Sequence, residues 1–83
     1  MAKDRENPFA WYELGVVYEA NGDHPRARLA SAEQQFMNRK FAEAMRNAEV
    51  AQQGLPAGSP DLLRAQDIVM SAHAEVEKQA KKR

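Results

Sequence analysis

The sequence of 83 residues predicts an all-α fold, an antiparallel array of four helices. Three observations lead there. Alanine is the commonest residue, and nowhere do β-branched or aromatic side chains alternate over the length of a strand. Asn7-Pro8, Asp23 with Pro25, and Ser59-Pro60 each place a capping side chain just ahead of a proline suited to a first helical turn. Stop signals follow at matching intervals: Asn21-Gly22, the break at Asn38-Arg39-Lys40, and Gly54 with Pro56. Helices are therefore expected at about 8–20, 24–37, 40–53 and 60–79, in one domain spanning 1–83. Short connections make sequential helices antiparallel neighbours.

Helix 1 is the densest apolar segment and holds the only tryptophan. Trp11, Leu14, Gly15 and Tyr18 share one stripe at i, i+3, i+4 and i+7. Glycine inside a helix costs about 1 kcal/mol against alanine, so Gly15 suggests a second helix crossing close by. Trp11 is expected to anchor the core. A second stripe, Phe9, Tyr12, Val16 and Glu19, lies about 100° away around the same helix. With Val17 it leaves only Glu13 and Glu19 as charged surface. Such a helix is usually covered on more than one side. The second stripe is open to two readings, a partner-binding surface or a packing face against helix 2 or 4 of the same chain.

In helix 2 the inner stripe is Leu29, Ala32 and Phe36, with Arg26, Arg28, Glu33 and Gln34 read as solvated. Asn38 can take the left-handed conformation that ends it. Helix 3 has the cleanest periodicity, Phe41, Ala44, Met45, Ala48 and Ala51, with Leu55 just beyond and Gly54 closing the helix. In helix 4, Leu62, Ala65, Val69, Ala72 and Val76 face inward. Its basic end, Lys78, Lys81, Lys82 and Arg83, suits a helix C-terminus. A core this rich in alanine buries little area per residue, which implies a marginal domain, a larger parent or a dimer.

The pattern W-x2-L-G-x2-Y at Trp11, Leu14, Gly15 and Tyr18, followed by a Gly-Asp turn, resembles the first helix of a tetratricopeptide repeat, a helical hairpin used mainly to bind proteins. Ala44, Ala48, Ala51 and Pro56 resemble the second helix, with Ala48 where that family usually has an aromatic residue. One helix earlier the same signature falls on Ala27, Ser31, Gln34 and Arg39, of which only Ala27 conforms. Helix 2 is thus expected to be shared between two degenerate repeats. Over about 7–73 the chain also resembles the C-terminal repeat region of bacterial, usually periplasmic, H-E-x-x-H zinc metalloproteases of the beta-barrel-assembly-enhancing type. Ala30-Ser31-Ala32-Glu33 and Arg64-Ala65-Gln66-Asp67-Ile68 carry that likeness.

That resemblance implies a protein-interaction domain that positions substrates or partners for a catalytic domain encoded upstream, with zinc held there and none here. In tetratricopeptide folds the first helix lines the concave groove, which assigns Phe9, Tyr12, Val16 and Glu19 to partner binding and allows a homodimer through helix 1. The alternative is a self-standing adaptor or dimerisation module. Location follows the same fork: periplasmic if the resemblance holds, cytoplasmic if this is the full-length chain.

Other function classes find little support. Twelve Lys+Arg balance twelve Asp+Glu, so no global field draws the chain to nucleic acid or membrane. There is no cysteine for a disulfide or a thiolate zinc site. No apolar run approaches the roughly 18 residues of a membrane span, and MAKDREN is no signal peptide. His24 and His73 lack the H-E-x-x-H context, Gly54 to Ser59 lacks a phosphate-loop lysine, and Ser31, Ser59 and Ser71 lack a nucleophile elbow. No catalytic or metal site is expected in this chain.

Overall fold

A computed structural model describes residues 7–81. The Met1 start and the Lys82-Arg83 end of the basic tail lie outside the described residues. The fold is all-α, as expected: α1 (Pro8–Ala20), α2 (His24–Met37), α3 (Phe41–Gly54) and α4 (Pro60–Lys81), with no strand among the described residues. Each expected start signal is used. The Asn7 side chain accepts from the Phe9 N–H at 2.9 Å, Asp23 from the Arg26 N–H at 3.3 Å, and Ser59 from the Leu62 N–H at 3.1 Å. A guanidinium hydrogen bond from Arg26 holds the Asp23 carboxyl below its ordinary range.

The two helix stops differ in chemistry. After α1, Gly22 takes the left-handed conformation (φ 77°), and the N–H groups of Gly22 and Asp23 return to the carbonyls of Glu19 and Tyr18. After α2 the same double bond forms from Arg39 and Lys40 to Phe36 and Gln35. The left-handed residue there is Arg39 (φ 63°), whereas Asn38 stays at φ −86°. The expectation that Asn38 would take this position is therefore corrected. The Arg39 guanidinium lies 5.5 Å from the Phe41 ring centre, a cation–π contact that helps offset the backbone cost.

Gly54 also has a different job from the expected one. It remains helical, with Leu55 extended behind it as the cap. A Cβ on Gly54 would sit 2.5 Å from Cγ of Pro25, so the glycine lets the start of α2 touch the end of α3.

Helices α2, α3 and α4 form the bundle core, with Leu29, Phe41, Leu55 and Ile68 packed among Ala32, Ala44, Ala48, Ala51, Ala65 and Ala72. Phe36, Met45, Leu62, Val69 and Val76 close its edges, the Phe36 and Phe41 rings meeting edge-on at 5.3 Å. The expected stripes of helices 2, 3 and 4 are thus in place, but Ile68, 1% exposed, was not among them. It lies off the 62-65-69-72-76 line, on the side of α4 that faces α2. Its neighbours on that side, Asp61 and Arg64, disguise the position as polar.

Those neighbours make the α2–α4 contact. Arg64 grips Glu33 in two bonds, Nε to Oε2 at 2.7 Å and Nη2 to Oε1 at 2.8 Å, and reaches Asp67 at 2.8 Å. Arg26 bridges Asp23 and Asp61 at 2.8 and 2.7 Å. Glu33 is buried, which corrects its reading as solvated. Arg28 and Gln35 of α2 meet through Asn47 of α3.

α1 packs mainly on α2 and buries none of its own residues. Trp11, Leu14 and Tyr18 are half-buried, so Trp11 is not the centre of the core. The reason is geometric: a single neighbouring helix covers one side of α1, and full burial needs cover from at least two. In return α1 buries Ala27 and Ala30 of α2. α2 therefore contacts all three other helices.

Candidate functional site

The stripe Phe9, Tyr12 and Val16 is exposed, at 60%, 53% and 52%. Packing against helix 2 or 4 does not bury it. The Phe9 and Tyr12 rings stack at 6.1 Å with planes 23° apart, giving a flat aromatic ledge. The cap and proline at Asn7-Pro8 start the helix immediately beneath the ledge, so its first turn is held in register.

Tyr12, Val16 and Glu19 form one wall of an open groove of about 220 Å³ between α1 and α2. Gly15, Ala27, Ser31 and Gln34 complete it. The α2 residues are three of the four that the repeat signature assigned to helix 2. Ser31 and Gln34, its departures from the apolar pattern, put a hydroxyl and an amide along the groove. That mismatch was the sequence signal for them, though it read only as degeneracy. Phe9 continues the stripe beyond the groove on the Tyr12 side.

Gly15 bears out half of its expectation. α2 does cross close, yet a Cβ at position 15 would meet Cβ of Ala30 at 3.5 Å and the Ala27 carbonyl at 3.8 Å, both ordinary contacts. Helix packing alone would accept alanine there, and the roughly 1 kcal/mol of lost helix propensity has no explanation in the packing.

Charge along α1 has one sign among the described residues. α1 carries Glu13 and Glu19 and no lysine or arginine. Glu19 Oε2 lies 3.0 Å from Nδ1 of His24, both side chains being well exposed. Arg28 is turned toward Asn47 at 3.0 Å, and Arg26 toward its two aspartates.

Of the motif residues, Ala44, Ala48 and Ala51 are wholly buried in the bundle, away from the groove, and Pro56 is exposed in the α3–α4 turn. His73 is exposed on α4, 3.7 Å from Glu77. Among the described residues no three His, Asp or Glu side chains gather as a metal-binding group, and no helix is long and apolar enough to cross a membrane. No family model, curated protein or solved structure matches the chain.

Proposed function

We propose that this chain is a non-catalytic, tetratricopeptide-like protein-binding module whose contact surface is the α1 stripe of Phe9, Tyr12, Val16 and Glu19. The observation that carries the reading is the exposure of stacked aromatics on a helix whose adjacent face is packed on α2. Aromatic side chains are over-represented among interface hot spots, and monomers rarely leave such a patch without a use. The central position of α2, in contact with all three other helices, supports the expectation that it is shared between two degenerate repeats. As part of a larger chain, the module would hold substrates or partners for a periplasmic H-E-x-x-H zinc protease domain. The Glu33–Arg64 pair supports that reading only in joining the two segments that carry the protease likeness. An H-E-x-x-H sequence in the reading frame upstream of Met1 is the expected finding, and its absence would leave a self-standing adaptor.

Tyr12→Asp tests the surface directly. At 53% exposure the substitution should leave the helical circular dichroism and melting temperature near wild type while abolishing partner capture from an extract. Loss of helical signal would place Tyr12 in the folding core and remove it from the interface.

A further inference from the structure

The groove's chemistry narrows what binds there, given that the α1 stripe is the contact surface. We propose that it takes a segment of a partner protein that presents a large aliphatic side chain and, within about one helical turn of it (~5 Å), a basic side chain. The aliphatic group sits over Gly15 between Tyr12 and Val16, and the basic group pairs with Glu19.

Size argues for a single side chain. Small-molecule sites usually run about 300–1,000 Å³ and enclose their ligand, whereas this groove is open and holds about 220 Å³. Three of its lining residues, Gly15, Ala27 and Ser31, are small, and the glycine is not demanded by helix packing. A methyl group at position 15 would take up part of the groove. Ser31 and Gln34 offer hydrogen bonds to a peptide backbone along the α2 side.

Charge selects the sign of the neighbour. The lining holds the Glu19 carboxylate and no cation, and the whole of α1 carries only acids, Glu13 and Glu19. His24 Nδ1, 3.0 Å from Glu19 Oε2, orients that carboxylate from outside the groove lining. The exposed faces of Phe9 and Tyr12 attract cations as well. A second copy of this chain fits poorly: α1 against α1 would bring four glutamates together with no counter-charge on either helix. Its area is also short. Aromatic side chains bury roughly 150–250 Å² when fully covered, so two half-exposed rings and a valine supply a few hundred Å², against about 800 Å² per partner in a stable dimer.

Selection of a random linear peptide library on the immobilised 83-residue chain tests this. Retained peptides are expected to share an aliphatic–basic pair. Their affinity should fall about tenfold in Glu19→Gln, the loss of one charge-assisted contact, and weaken as salt is raised. Gly15→Ala should melt higher than wild type and bind the same peptides several-fold more weakly. Peptides that depend on Tyr12 but are acidic or uncharged would leave the binding surface standing and overturn this assignment. Self-association abolished by Tyr12→Asp would give the groove to a second copy, which also overturns it. If no peptide depends on Tyr12, both this inference and the binding reading fall.

Discussion

Ile68→Ala should lower the melting temperature by about 10–40 °C. Ile68 is the largest fully buried side chain, 1% exposed where α4 meets α2 and α3. Removing its outer methyl and methylene groups costs about 2–5 kcal/mol, the lost burial plus a cavity into which the surroundings relax only in part. In a domain of this size about 1 kcal/mol moves the midpoint by 4–8 °C. Trp11→Ala is the instructive companion. Large aromatic truncations in cores cost about 3–5 kcal/mol, but Trp11 is half-buried on a helix that buries nothing fully. It should cost less than Ile68→Ala and act locally: hydrogen exchange should quicken across α1 while α2–α4 amides keep their protection. Uniform loss of protection in Trp11→Ala, or an Ile68→Ala midpoint within a few degrees of wild type, would show that the core has been misplaced.

Arg64→Leu is the second large effect. It leaves the Glu33 carboxylate, with 7% of its side chain exposed, without the guanidinium that satisfies both oxygens. Stranding one member of a buried pair costs about 3–5 kcal/mol. The Arg64 side chain is 43% exposed, so water can reach the vacated position and the expected loss is about 2–3 kcal/mol. Glu33→Met combined with Arg64→Leu should recover most of it, since an apolar pair of similar volume needs no desolvated charge. Urea unfolding of the two single variants and the double variant measures this coupling. A double variant no more stable than Arg64→Leu would mean that the pair contributes geometry that hydrophobic contact cannot replace.

These two residues also mark what the sequence made legible. Element type and boundaries were readable because the punctuation is explicit, a cap and proline at three of the four starts. The lines by which α2 and α3 enter the bundle core were readable because each is cleanly apolar, although α2 also buries Ala27, Ala30 and Glu33 off that line. Ile68 and Glu33 were not, because α4 packs on α2 as well as α3. Its second face mixes Ile68 with charges that are polar in composition yet paired across the helices. Trp11 was misread for the opposite reason: hydrophobicity says that a residue gains from cover, not how many neighbours supply it. At the site, the α1 half was visible as a stripe. The α2 half, Ala27, Ser31 and Gln34, needed the helices to be brought together.

The six alanines among the ten buried residues at the centre of the bundle bear on how stability changes with temperature. Melting a core of methyl groups and closely approaching backbones exposes less hydrocarbon, and proportionately more peptide, than melting one of leucine and phenylalanine. Hydrated hydrocarbon raises the heat capacity of the unfolded chain and hydrated peptide lowers it. The increment on unfolding should therefore lie near or below the lower end of the usual range, about 1 kcal/mol/K for a chain this long. A small increment flattens the stability curve, so cold should weaken this bundle less than a leucine-filled one of equal stability, as calorimetry down to a few degrees would register.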